Sequence, residues 1–169
     1  MWVKPEYTGE LAVLSTWVCG LLPWSVTIFQ RDIETGGAVM AIWIRFLPGR
    51  FLYVFGLGLP PDSPYRWVWE VPDFVATPGE TLASHVWLVG VAVFLGAFLV
   101  SVLYYLDEAR VEGWRVDPVR LLGGLLVATG AVLFVAAAVL WWHQAGLMLP
   151  VGVFFQLGLG AVLLRVERP

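Results

Sequence analysis

The hydrophobic positions of the chain form four long runs, separated by one long mixed segment and two short polar connections. The runs cover residues 11–29, 78–106, 118–142 and 149–165. Each comes close to the ~20 residues that a helix needs to cross a hydrocarbon core of ~30 Å. We therefore predict an all-α membrane protein. Its four-helix transmembrane bundle carries a small extracellular β-hairpin or three-stranded sheet between the first and second spans.

Local signals place the ends of these predicted spans. Thr77-Pro78-Gly79-Glu80 reads as a capping box with proline at the first helical position, so the second span begins there. Asp117-Pro118 is a similar start for the third span, after a charged loop at 107–117. Pro23 lies inside the first run, where we expect it to kink the helix.

The mixed segment at 30–77 is apolar and aromatic but is interrupted by arginine, proline and glycine. Residues 39–46 and 51–57 are rich in β-branched and aromatic side chains, and Leu47-Pro48-Gly49-Arg50 between them is a turn sequence. We predict a β-hairpin, with a third strand at 67–71. The alternative is a membrane helix or re-entrant segment at 38–59, which would place two arginines near the middle of the membrane.

Both alternating sets of the predicted hairpin are apolar, whereas a sheet with one solvated face shows polar alternation. Both faces therefore need a cover, and an exposed apolar patch is typical of an interaction surface. The candidate partner-binding residues are Trp43, Arg45, Phe51, Tyr53 and Trp67.

Composition supports membrane insertion and excludes some functions. Hydrophobic residues make up 59% of the chain, well above the ~45–50% of soluble domains, and the chain has ten tryptophans. The net charge of −3 provides no basic field for nucleic acid. The single cysteine, Cys19, allows no intramolecular disulfide.

The basic residues predict the orientation. Placing both termini and the 107–117 loop on one side gathers six cations close to the span ends: Lys4, Arg110, Arg115, Arg120, Arg165 and Arg168. Cytoplasmic loops carry such an excess. We expect a multi-pass plasma-membrane protein with cytoplasmic N- and C-termini and an external 30–77 segment, surrounded by the lipid bilayer.

Catalytic chemistry has little support in the sequence. No ionisable residue lies in the middle of a predicted span, and no hydrolase elbow or phosphate-binding loop is present. His85 and His143 fall at similar predicted depth and are the candidates for a haem or metal ligand pair, although metals usually need further ligands. We predict no catalytic residues and no cofactor.

Two passages, EYTGELAVLSTWVCGLLPWSVT and LYYLDEARVEGWRVDPVRLLGG, together with the FLYVFG stretch, carry a resemblance. The chain resembles a group of small four-span membrane proteins of haloarchaea, which implies an archaeal plasma membrane but no reaction. Its topology is also similar to that of claudin-like proteins, by analogy only. The cysteines of the claudin external loop are absent here.

These observations favour a non-enzymatic membrane protein whose external sheet binds a membrane or envelope partner, or a second copy of itself. Two alternatives stay open. One is an accessory or cofactor-holding subunit of a membrane redox complex, and the other is a lipid- or quinone-binding bundle.

Overall fold

The computed structural model describes residues 7–33, 37–56, 64–74, 77–143 and 146–166. Within these ranges the chain forms five α-helices, five β-strands and a short 3₁₀ helix at Val71–Phe74. The helices are α1 (Thr8–Leu21), α2 (Pro78–Leu106), α3 (Glu108–Glu112), α4 (Pro118–His143) and α5 (Val151–Arg165). The strands are β1 (Ser25–Ile33), β2 (Gly37–Arg45), β3 (Gly49–Phe55), β4 (Tyr65–Trp67) and β5 (Leu147–Leu149).

The five strands form one antiparallel sheet in the order β4-β3-β2-β1-β5. β2 and β3 are the hairpin that the alternating pattern predicts, and their turn is closed by a hydrogen bond from the Phe46 amide to the Gly49 carbonyl. The alternative helix at 38–59 is wrong, because strands occupy 37–45 and 49–55. β4 lies two residues earlier than the third strand predicted at 67–71.

The first predicted span is wrong in its second half. α1 ends at Leu21, and the residues after Pro23 form β1 instead of continuing the helix. Proline cannot donate the backbone bond that a helix would need there, and Val26, Thr27 and Ile28 are β-branched residues that suit a strand. β1 pairs along all nine of its residues with β2.

The four-helix transmembrane bundle is therefore also wrong. Only α2, with 29 residues, and α4, with 26, are long and apolar enough among the described helices to cross a membrane. α1 has 14 residues and α5 has 15. At ~1.5 Å per residue these two reach about 21–23 Å, short of a ~30 Å core. The protein combines two membrane-length helices with shorter helices and a five-stranded sheet.

The sheet lies at one end of the packed helices. β1 follows the C-terminus of α1, while β5 joins the end of α4 to the start of α5. α2 begins with the predicted cap, in which the Glu80 amide donates to the Thr77 hydroxyl at 3.2 Å. α4 packs against α1, α2 and α5. α3 and the start of α4 lie at the opposite end of the helices, where Tyr104 donates to Glu112.

Candidate functional site

The sheet has two faces of different character. One face turns toward the helix ends and buries Ser25, Thr27, Ala41, Arg45 and Arg50. The other, which we call the outer face, turns away from the helices. Following the strand register, the members whose side chains the structure describes are Val26, Ile28, Gln30, Ala38, Met40, Ile42, Ile44, Phe51, Tyr53, Phe55, Tyr65, Trp67, Leu147 and Leu149. All of them except Gln30 are apolar or aromatic, and more than half are exposed.

A continuous series of rings extends along one side of the outer face. Neighbouring centroids are 4.8 Å apart for Phe51 and Tyr65, 5.1 Å for Tyr65 and Trp67, and 4.9 Å for Trp67 and Trp69. Phe46 and Tyr53 each contact Phe51 as well. We call these six residues the aromatic ladder. Trp69 is 60% exposed, so the ladder offers ring surface to a neighbour.

The five predicted partner-binding residues divide between the two faces. Phe51, Tyr53 and Trp67 belong to the ladder on the outer face. Trp43 and Arg45 lie on the helix-facing side, where the Arg45 guanidinium sits 5.9 Å from the centre of the Trp43 ring. Arg45 is only 3% exposed, so it does not lie on a surface that a partner could reach.

The burial of Arg45 reveals a second site that the sequence analysis missed. Three arginines occupy directly opposed positions on neighbouring strands: Arg45 on β2 faces Arg50 on β3, which faces Arg66 on β4. Like charges in direct cross-strand positions repel one another. Arg50 is 8% exposed, so two of these cations are almost completely removed from water.

A small cavity lies where these arginines meet the helix ends. It is lined by Trp24, Arg45, Arg50, Val71, Glu80, Ala83, Ser84, Trp87 and Leu140. Its volume is about 10 Å³, which is enough for about one water-sized particle. Glu80, in the first turn of α2, is the acidic residue among its lining side chains.

Burial and neighbouring cations lower the pKa of both lining arginines, and one carboxylate opposes these effects. Burial first, and then the charge of Arg50, lower the pKa of Arg45 to about 9, although the carboxylate of Glu80 acts in the opposite direction. The pKa of Arg50 is lowered by burial and then by Arg66, again against Glu80. One carboxylate therefore acts on two buried cations.

Two hydrogen-bond donors at this cavity have no partner among the described residues. The indole nitrogens of Trp24 and Trp87 are fully buried and make no hydrogen bond. The two rings pack against each other at 5.5 Å. A buried donor without an acceptor costs about 1–3 kcal/mol, so a lining with two of them favours an acceptor in the cavity.

The two histidines are held by their own helices. The Nδ1 atoms lie 2.8 Å from the Thr81 carbonyl for His85 and 2.9 Å from the Val139 carbonyl for His143. Because a carbonyl only accepts, Nδ1 carries the proton in each ring. Both side chains are exposed, and the described residues contain no group of three or more metal-binding side chains.

A wider groove lies between α1 and α2 at the end away from the sheet. It has a volume of about 390 Å³, within the range of small-molecule sites. Its lining includes Trp17, Tyr104 and Tyr105, with Glu10 and Glu108 as its charged groups.

These features define a class of protein with two membrane-length helices, an antiparallel sheet at one end and a buried arginine cluster between them. The chain belongs to the family of unknown function DUF7549, whose model matches residues 1–168. No curated protein matches it.

Proposed function

We propose that this chain is a non-enzymatic, multi-pass protein of the plasma membrane that uses its outer face for association. α2 and α4 cross the bilayer, and α1 and α5 pack against these two helices. The outer face is extracellular and binds either a second copy of the chain or another membrane or envelope protein. Of these partners, the observations favour a second copy.

Membrane insertion is supported by the distribution of polar and apolar side chains on the helices. Thr16, Thr129 and Gln156 are completely buried between helices. Large apolar residues point outward instead, as Leu99 of α2 does at 62% exposure and Phe154 of α5 at 63%. Water would favour the reverse arrangement, whereas lipid stabilises apolar outer surfaces and polar contacts between helices.

Close helix packing of the kind used in lipid also supports this proposal. A Cβ atom on Gly123 of α4 would lie 3.0 Å from the carbonyl oxygen of Gly160 on α5. On the other side of the helices, the Trp17 indole donates to the Ser101 hydroxyl at 3.2 Å. In lipid, close packing at small residues and hydrogen bonds from hydroxyl groups hold helices together, whereas in water the burial of apolar surface does so.

The orientation is supported by where the cations lie along the helices. Arg110, Arg115, Arg120 and Arg165 are all at the α3 end, away from the sheet. Lys4 and Arg168, which contribute to the same prediction, lie outside the described residues. The excess of cations near span ends marks the cytoplasmic side, which leaves the sheet outside.

The single observation that carries the proposed association is the uncharged and largely apolar outer face. None of its side chains that the structure describes carries a charge, so its partner needs an apolar surface and no counter-charge. A second copy offers the same surface, and two-fold symmetry brings a patch against itself. The edge strands β4 and β5 have three residues each, so pairing through the edges would form few bonds.

Light scattering of the full chain in mild detergent tests this proposal. We expect the mass of a dimer for the native protein and of a monomer for Trp67→Glu, because a charge on the outer face must be buried in the dimer. Trp114→Glu is the matched control, since Trp114 is 39% exposed, close to the 44% of Trp67, but lies beyond α3. A native monomer, with or without another protein bound, would overturn the second copy as partner.

The lipid- or quinone-binding alternative is favoured by the groove between α1 and α2. Its aromatic lining at Trp17 and Tyr105 fits an isoprenoid or acyl chain. Extraction of the purified protein followed by mass spectrometry should then recover a stoichiometric lipid or quinone, and Trp17→Ala should reduce its amount. Equal recovery from the native protein and Trp17→Ala would contradict this alternative.

A further inference from the structure

We propose that the groove between α1 and α2 binds a membrane-soluble organic cation, such as an alkyl- or arylammonium compound without a phosphate group. The inference rests on the lipid- or quinone-binding alternative above, because it names the chemical class of the ligand in the same groove. It does not depend on the association of the outer faces. The groove has a volume of about 390 Å³, which gives room for a small molecule of this kind.

The groove changes from acidic to apolar along the helix axis. Glu10 lies in the first turn of α1 and Glu108 in the first turn of α3, so both carboxylates are at the end away from the sheet. Val13 and Trp17 line the groove nearer the sheet. The helix rises by about 10 Å between Glu10 and Trp17. A ligand that matches both parts has a charged head at the α3 end and an apolar body beside Trp17.

The two carboxylates set the sign of the charge that the groove accepts. Within the described part of the chain neither Glu10 nor Glu108 forms an ion pair, and both side chains are exposed. Arg110, the cation of α3, lines a different pocket together with Leu103 and Trp114. Opposite charges attract and like charges repel at these short distances. The groove therefore attracts a cationic head and repels the phosphate of a phospholipid.

The aromatic side chains of the groove offer ring faces to the ligand. The Trp17 indole already donates to Ser101, and the Tyr104 hydroxyl donates to Glu112. The ring centres of Trp17 and Tyr105 are 5.4 Å apart, and these side chains are 36% and 68% exposed. Exposed faces of tryptophan and tyrosine attract organic cations. The rings and the carboxylates thus favour the same class of ligand.

Isothermal titration calorimetry of the full chain in an uncharged detergent tests this charge selectivity. The probes are tetraphenylphosphonium and tetraphenylborate, which have nearly the same size and apolar surface but opposite charges. Heats of titration into protein-free micelles are subtracted. We expect saturable binding of one phosphonium ion per chain and no saturable binding of the borate ion. Absence of phosphonium binding, or equal affinities for the two ions, would overturn the proposal.

Variants of the two carboxylates test whether the phosphonium ion binds in the groove. Glu10→Gln and Glu108→Gln should each weaken its binding about threefold, and the double variant should weaken it about tenfold. Asp73→Asn is the matched control, since it removes one exposed carboxylate at the sheet end, and its affinity should equal that of the native protein.

Equal phosphonium affinities for the native protein and the double variant would overturn the proposal. Recovery of an uncharged lipid or quinone from the groove, together with that result, would leave the groove-binding alternative standing and remove only the selectivity for cations. Thermal unfolding without the probe shows that the variants are folded.

Discussion

Arg45 and Arg50 are direct cross-strand partners at the base of the β2–β3 hairpin, and both are buried beneath the sheet. Their positions follow from the hairpin itself. The turn between them contains four residues, so the last residue of β2 and the second residue of β3 are opposed and point to the same face. The carboxylate of Glu80, from the first turn of α2, acts on both.

We expect Glu80→Gln to destabilise the protein by about 3–5 kcal/mol, because it leaves two buried cations without their shared carboxylate. The difference in the free energy of unfolding between the native protein and Glu80→Gln, both in detergent, measures this loss of stability. Glu108→Gln, an exposed residue in the first turn of α3, is the control and should change stability by less than about 0.5 kcal/mol. Similar stabilities for the two variants would show that Glu80 does not balance the arginine charges.

The lowered pKa of Arg45 predicts a stability that rises in alkaline solution. The unfolded chain keeps this proton up to the ordinary, higher pKa of an arginine, whereas the folded protein releases it above a pKa of about 9. Unfolding between these values takes up a proton, so the free energy of unfolding rises with pH, by at most about 1.4 kcal/mol per pH unit. Below pH 9 the cost of the buried charge is fully present.

The free energy of unfolding, measured at several pH values between about 8.5 and 10.5, gives this slope. Arg45→Met lacks the titrating group, so its stability should rise less steeply than that of the native protein. Parallel curves for the two proteins would contradict the prediction.

The N-terminus of α5 packs directly on the connection between α1 and β1. A Cβ atom on Gly152 would lie 2.7 Å from both the Pro23 carbonyl oxygen and the Trp24 Cα atom. Gly152→Ala should therefore destabilise the protein by about 1–3 kcal/mol, because the backbone next to Trp24 has to move.

Gly158 in the same helix provides the comparison, since a Cβ there has no neighbour within 4 Å among the described atoms. Gly158→Ala should be neutral or stabilise by up to about 1 kcal/mol through helix propensity. Equal shifts in the melting temperatures of the two variants would contradict the close packing at Gly152.

The proposed orientation predicts which residues an impermeant maleimide can label on intact cells. In a Cys19→Ser background, Trp69→Cys at the sheet end should react directly. Val116 lies at the α3 end and is 54% exposed in the native protein, so Val116→Cys should react only after the membrane is permeabilised. Labelling of Val116→Cys on intact cells would reverse the orientation.

Part of the sheet could be predicted from the sequence because its signals are local. β2 and β3 alternate β-branched and aromatic residues around a Pro-Gly turn, and that pattern predicts a hairpin. β1 and β5 lack such signals. β1 continues the apolar run of α1, and its identity depends on pairing with β2, whose residues lie twelve to twenty positions further along the chain from Ser25↔Arg45 to Phe29↔Ala41. The three residues of β5 are too few for a pattern.

The buried cluster could have been partly inferred. Arg45 lies on the same face of β2 as Ala41 and Trp43. A four-residue turn places it opposite Arg50, so the pairing of the two arginines could be inferred from the sequence. The approach of Glu80 and Trp87 could not be inferred, because it depends on how α2 meets the sheet. The sequence predicts Arg45 as a surface residue, because a buried arginine needs a counter-charge. The carboxylate that makes its burial possible belongs to a later helix.

The association of two outer faces is the central claim, and disulfide cross-linking in native membranes tests it most directly. Cysteines replace Ile28, Tyr53 or Phe55 one at a time in a Cys19→Ser background; these outer-face residues are 39%, 43% and 50% exposed. We expect at least one of these variants to form a covalent dimer on mild oxidation, while Phe154→Cys on the exposed side of α5 stays monomeric. Failure of all three to cross-link, or equal cross-linking through Phe154→Cys, would contradict the account.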